Sequence, residues 1–241
     1  MTAAPVEPAS RLSIRLLDGF RLDYGHQQVH VVPAARRLLA LLALRESPVS
    51  RTVAAALLWP EATARRAAAC LRSSLWRLAK PAGPLVETAE DTLRLGPGVE
   101  VDFRRACVLV ARAAAPGPPP DASAVALFKA DLLPGWDQPW VATEQDWWRQ
   151  ARLRALEALS ERFRSCGDHL RAHQAALAAV HSDPLRESAH RTLVELHIAD
   201  GNPAQALRQY ASYRSLLRAE LGLSPSPEMN RLVQPLLGGA R

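Results

Sequence analysis

Strand-type alternation of apolar and polar residues is confined to the first hundred residues of this chain, and beyond Asp102 apolar residues return only at helical spacing. A sequence whose apolar period changes once, from two to about 3.6, commits to a mixed front and an all-helical rear. In the front, Leu12, Ile14 and Leu16, then Phe20 and Leu22, then Val29 and Val31 alternate with polar residues, and Asp18-Gly19 and Tyr24-Gly25 separate the runs. Three short antiparallel strands follow, the third over Val29 to Val31. Pro33 stands where a first helical turn tolerates it, with Leu38, Leu41, Leu42 and Leu44 at helical spacing until Ser47-Pro48. Ser50 is placed to cap a second helix ended by Trp59-Pro60, and Thr63 to cap a third running to Lys80. Leu85 to Glu87 and Thr92 to Leu95 flank the polar turn Ala89 to Asp91, a hairpin closed by Gly96-Pro97-Gly98.

In the rear, Gly167-Asp168 returns 34 residues later as Gly201-Asn202, with Leu170 matched by Ala204 and Ala172 by Ala206. Thirty-four residues is the tetratricopeptide period, and Ala179 and Asp183-Pro184 fall where that repeat sets a small helix contact and its closing proline. Helical hairpins cannot bury their apolar faces alone. These are therefore expected to stack with Ala124 to Leu132 and with a terminal helix near Met229 to Leu237, while Trp147 to Cys166 supplies the first half of the first repeat. Pro116 to Pro120 has the composition of a stiff connector.

Thirty Lys and Arg against 24 Asp and Glu give a net charge of +6, which favours an anionic partner. Up to Ala115 there are 16 basic and 10 acidic residues, and after it 14 of each, so the first half carries the whole excess. Of the cations 28 are Arg, the side chain that grips phosphate and guanine in forked pairs. A GC-rich genome also produces an Arg-rich, Ala-rich, Lys-poor chain, but does not explain the asymmetry.

The third helix concentrates it. At about 100° per residue, Ala64, Ala67, Ala68, Leu71, Leu75 and Leu78 share one arc, and Arg65, Arg66, Ala69, Arg72, Ser73, Trp76, Arg77 and Lys80 share the opposite one. A solvated helix face interleaves acids and bases, because like charges at i,i+4 repel; here no acid intervenes. A cylinder of this width fits the DNA major groove, where Arg spans guanine O6 and N7 and flanking cations neutralise phosphates. Arg66, Ser73 and Arg77 are the base-reading candidates, and Arg65, Arg72 and Lys80 the phosphate contacts. Arg36 and Arg37 beside the first helix and Arg51 and Thr52 at the start of the second are further phosphate candidates, since helix N-termini favour anions. The hairpin would be the wing. Its Arg94 is a phosphate candidate, whereas Glu87, Glu90 and Asp91 make a tip that DNA repels and that could face a protein.

Cys70, Cys107 and Cys166 form an odd set without a close pair, so neither a disulfide framework nor a zinc knuckle is indicated. His169 and His173 at i,i+4 lack the third ligand a metal site needs, and Cys70 reads as a small buried thiol before a redox switch. Trp136, Trp140, Trp147 and Trp148 gather four of six tryptophans within 13 residues, which reads as packing between the two halves before a ligand pocket or a protein-binding surface. No phosphate loop or nucleophile elbow occurs, so no enzyme, cofactor or metal is expected. No apolar run approaches about 18 residues and the N-terminus has no signal-peptide pattern, so the expectation is a cytoplasmic protein with no membrane partner.

With these residues in hand the chain resembles the Streptomyces antibiotic regulatory protein family. The resemblance runs over about residues 11 to 236 and rests on Leu57-Leu58-Trp59-Pro60, on Ala69 to Leu78, on Val101-Asp102-Phe103 and on Leu132-Leu133-Pro134-Gly135. It rests further on Asp183 to His190 and on Leu221 to Glu228. It implies an α+β architecture, an N-terminal OmpR-type winged helix-turn-helix over 11–99 followed by an all-α tetratricopeptide-like activation domain over 100–241, with the prolines at 116 to 120 as an internal loop. It also implies a transcriptional activator of a secondary-metabolite gene cluster that binds direct repeats of double-stranded DNA near a promoter and recruits RNA polymerase holoenzyme. Where this sequence has Cys70-Leu71-Arg72-Ser73-Ser74-Leu75-Trp76, many members carry an Asn and a Gln-aromatic pair, so base preference does not carry over. One recognition helix per chain implies a homodimer, formed on adjacent half-sites of DNA. The alternative is a tetratricopeptide-like interaction scaffold whose winged module no longer reads DNA.

Overall fold

The computed structural model describes residues 12–78, 85–115, 117, 120 and 122–238. Lys80 lies outside the described residues. The chain is mostly helical with a small N-terminal sheet region, and it divides into two compact units, Met1–Cys107 with Asp131–Asp146 and Val108–Ala130 with Trp147–Arg241.

In the first unit, β1 (Leu12–Arg15) and β2 (Arg21–Tyr24) pair antiparallel with Ile14 opposite Leu22, both buried. The turn between them puts Asp18 and Gly19 at φ 60° and 121°, which a residue without Cβ at the second position adopts freely. The third strand, β3, is Gln27–Gln28 and not Val29 to Val31. Gly25 at φ 60° makes the turn so tight that Tyr24 already faces Gln27, and the chain leaves the sheet before Val31, which is buried outside it. Next, α1 (Pro33–Leu44) begins on its proline and is buried almost all round, with Leu38, Leu39, Leu41 and Leu42 at 1% exposure or less.

Ser50 ends a two-residue strand, β4 (Val49–Ser50), and its hydroxyl accepts the Val53 amide at 3.2 Å, which starts α2 (Arg51–Leu58). The Thr63 hydroxyl accepts the Arg66 amide at 3.4 Å as α3 (Ala64–Leu78) begins. The hairpin is β5 (Val86–Ala89) and β6 (Thr92–Leu95), with Glu90 at φ 51° at its tip, and β4 adds to it in the order β4-β6-β5. After it, β7 (Val99–Val101) lies parallel to β1, completing a sheet of order β3-β2-β1-β7.

Asp102 opens α4 (Asp102–Ala114) and ties it to the sheet: its carboxylate accepts the amides of Leu16 at 2.8 Å, Leu17 at 3.2 Å and Phe103 at 2.6 Å. Burial pushes this carboxyl above its usual range while the three amides pull it down. Two residues on, Arg104 donates to the carbonyls of Leu42, Ala43 and Arg45, closing the open end of α1. Residues 131–146 join the same unit through Asp18 N to Asp131 O at 2.7 Å, Leu133 N to Leu16 O at 2.8 Å and a bridge between Leu17 and Leu132. The Trp136 ring stacks against Phe20 and meets Trp140 edge-on.

The second unit is helical: α5 (Ala122–Lys129), most of α6 (Pro139–Ser165), α7 (His169–Ser182), α8 (Glu187–Ala199), α9 (Pro203–Leu221) and α10 (Pro227–Gly238). Gly167 and Gly201 take φ 77° and 70° after α6 and α8, so the 34-residue period is a period of helix ends. Both successor helices start two residues later, and Ala172 and Ala206 are fully buried at the matching position while Leu170 and Ala204 are exposed. Asp168 caps α7 by accepting the Arg171 amide at 3.0 Å; Asn202 makes no such bond. Val194, Ala206, Tyr213, Leu217, Met229 and Val233 form one core cluster from α8, α9 and α10. Trp148 is buried against Phe128 and donates its indole N–H to Ala130 O at 2.9 Å.

Candidate nucleic-acid interface

Two helix starts and one helix face bring the predicted residues together. On α3, Ala67, Leu71 and Leu78 are buried as their spacing predicts, and Ser74 joins them at 2% exposure. The serine is tolerated there because its hydroxyl donates to Cys70 O at 2.9 Å, so no polar atom is left without a partner. Ala64 is exposed, being in the first turn.

The opposite face carries Arg65, Arg66, Arg72, Ser73 and Arg77, all exposed. Neither the helix itself nor any other described residue sets a carboxylate within ion-pair distance of those four guanidinium groups. Arg51 and Thr52, at the N-terminus of α2, meet Arg72 around a hollow of about 480 Å³ between α2 and α3. The backbone amide of Arg51 is taken by Asp91 O at 2.7 Å, and Asp91 also borders the same hollow. That acid on the rim was not apparent from its place in the hairpin sequence.

Of the remaining candidates, Arg94 and Arg36 are engaged within their own unit. The Arg94 guanidinium grips Glu87 across the hairpin, Nε at 2.8 Å and Nη2 at 2.6 Å. Arg36 lies over the Phe20 ring at 5.8 Å, and Arg37 is half-buried. Trp76, placed by its spacing on the cationic arc, is 69% exposed.

Other titratable groups fill structural roles. His169 Nδ1 and His173 Nε2 hold the two oxygens of Asp200 at 2.8 and 2.7 Å, and these contacts keep the carboxyl below its ordinary range. Among the described residues no cluster of His, Cys, Asp or Glu is arranged to hold a metal ion, and no helix is long and apolar enough to cross a membrane. Burial, with Glu46 and Glu144 nearby, pushes the Cys107 thiol up to about 11, which keeps it protonated and unreactive.

A family model described as "Bacterial transcriptional activator domain" matches residues 102–237. The chain belongs to that family. Membership of the Streptomyces antibiotic regulatory proteins stands on this match together with the relatives. "Regulatory protein AfsR" of Streptomyces coelicolor is 31% identical over 221 residues, 85% of this chain and 22% of that protein. "Regulatory protein AfsR" of Streptomyces griseus is 30% identical over 111 residues, 46% of this chain and 11% of that protein. The chain thus spans about a fifth or less of these relatives' length. Among solved structures, "Mycobacterium tuberculosis EmbR in complex with low affinity phosphopeptide" has the same fold, with a TM-score of 0.69 and 22% identity over 95% of this chain and 65% of that one.

Proposed function

We propose that this protein is a sequence-specific DNA-binding transcriptional activator, with residues 11–99 as a winged helix-turn-helix and 100–241 as a tetratricopeptide-like activation domain. The observation that carries the reading is the outward face of α3, four exposed arginines that meet no carboxylate among the described residues, on a helix anchored by Ala67, Leu71 and Leu78. A cationic ridge of that width pairs with the one partner that is anionic, grooved and rigid, a DNA duplex. Arg66, Ser73 and Arg77 meet base edges, and Arg65 and Arg72 meet phosphates with Arg51 and Thr52 from α2. The helical residues recruit RNA polymerase holoenzyme, and two copies assemble on direct repeats near the promoter of a biosynthetic gene cluster.

The test uses the full chain and a duplex selected by it from a random library. Gel shift is expected to show a discrete site, and Arg66→Ala with Arg77→Ala to weaken it by about a hundredfold or more, since each forked pairing of an arginine with a base is worth about 1–3 kcal/mol. Unchanged affinity, or no selected site at all, would overturn the reading in favour of an interaction scaffold, which the acidic hairpin of Glu87, Glu90 and Asp91 would suit.

A further inference from the structure

The hollow between α2 and α3, about 480 Å³, has the volume of a small-molecule site, more than one backbone phosphate fills. Most of what borders it is apolar. Ala55 of α2 and Ala68 and Leu71 of α3 border it from the two helices, and Trp59 with Pro60 bounds it where α2 ends. Alanine stands on both helices where a larger side chain would fill the space, so the space stays open.

Charge gathers on the same hollow. Arg51, Thr52 and Arg72 border it, and neither guanidinium group has a carboxylate within ion-pair distance among the described residues. Asp91 is the one acid on its border, so two cations stand against one anion. An apolar lining with a few charged groups is the composition that seats and orients a small ligand. We infer that the hollow is a binding site for a small aromatic acid, whose ring lies against Trp59, Ala68 and Leu71 and whose carboxylate takes Arg51 and Arg72. A neutral apolar molecule leaves both guanidinium groups unanswered, and a bare phosphate leaves the apolar lining wet; an aromatic acid satisfies both. The same arginines are assigned above to phosphates of the duplex, so an occupied hollow competes with DNA. That consequence rests on the DNA-reading assignment; the site itself does not.

The probe is 1-naphthoate, titrated into the full chain labelled with nitrogen-15, and the reporter is the Trp59 indole N–H, identified as the resonance lost in Trp59→Phe. It is expected to shift saturably while the other five indoles stay in place. The uncharged 1-naphthamide, and 1-naphthoate added to Arg72→Ala, are each expected to bind about tenfold more weakly, one charge-assisted pairing fewer. Inorganic phosphate at the same concentration is expected to leave Trp59 unmoved. Ala68→Leu fills the hollow and is expected to abolish the shift; Ala56→Leu, at an exposed position on the same border, replaces it should a melting curve show Ala68→Leu unfolded. On the selected duplex, saturating naphthoate is expected to weaken the wild type about tenfold, through the phosphate contacts it blocks, and Ala68→Leu not at all. Equal shifts at all six indoles, equal binding of the amide, a response to phosphate as large as to naphthoate, or a duplex affinity indifferent to saturating naphthoate overturns the inference. If no duplex is selected, the DNA reading fails by itself, and the naphthoate titration still decides the site.

Discussion

The arginines of α3 and several of those in the second unit are the same residue type in opposite circumstances. In the second unit Arg186 is forked onto Glu157 at 2.8 and 3.1 Å, Arg171 meets Asp168 at 3.3 Å, Arg231 meets Glu228 at 2.8 Å and Arg191 meets Glu195 at 3.9 Å. On α3 the described residues supply no counter-charge. A cation answered by a neighbour three or four residues away is part of a helix surface. Four cations left unanswered on one face keep their full attraction for something outside the chain. An Arg-rich composition therefore carries no functional information by itself; the distribution of acids around the arginines does.

That contrast can be broken in order of expected effect. The largest effect is on DNA: Arg66→Ala with Arg77→Ala removes the proposed base pairings yet shifts the unfolding free energy by less than about 0.5 kcal/mol in a denaturant titration, because neither group is buried. A large drop in stability would mean that the face is structural.

The mirror experiment is Glu157→Ala. Its carboxylate takes Arg186 and the Ser188 hydroxyl at 2.6 Å, with both ends of the ion pair about one-fifth exposed. Removal is expected to cost about 3 kcal/mol, since it leaves a half-buried guanidinium without its counter-charge. A cost near zero would erase the distinction between the two sets of arginines.

Acidification comes next. His190 Nε2 donates to Pro184 O at 2.9 Å, and Nδ1, facing the Gln209 amide at 2.7 Å, serves as acceptor, so the imidazole is built in neutral. Burial lowers the pKa of His190 and of His197 below the ordinary 6.5. A lowered histidine contributes stability above about pH 6.5 that is lost as pH falls from there through the folded value. Thermal melts are expected to drop between pH 7.5 and 5.5, with a smaller drop for His190→Gln.

Two smaller effects concern DNA again. Arg72→Ala is expected to flatten the plot of log affinity against log salt by about one unit, one neutralised phosphate fewer. Glu87→Gln, which frees Arg94 at an exposed pair, is expected to strengthen DNA binding by no more than a few-fold, because such pairs are weak to begin with. A weakening there would mean that Glu87 holds Arg94 in place for a contact with the duplex.

Local rules made α3 legible. Its period, the Thr63 start and the segregation of acids can all be read along the chain, and the structure exposes Arg65, Arg66, Arg72, Ser73 and Arg77 together. What stayed hidden were contacts between residues far apart in sequence. Nothing near Val99–Val101 marks it as the parallel partner of Leu12–Arg15, and a two-residue strand such as Val49–Ser50 is too short to have a period. Ser74 looks like a surface residue until its hydroxyl is seen turned onto Cys70 O. The joining of residues 131–146 to the first unit depends on Leu16, Leu17 and Asp18, more than a hundred residues earlier.

By itself, then, the sequence determined where helices and turns begin and end, which face of α3 is apolar, and the 34-residue return of a glycine after a helix. Those are decided by capping groups, by proline and glycine, and by periods that span a few residues. Only the tertiary structure decided which charges are answered and which are left over: Arg94 was claimed by a strand neighbour and Arg36 by an aromatic ring, while the α3 arginines met no acid among the described residues. Pairing depends on distances of a few ångströms, and those are set by packing and not by position along the chain.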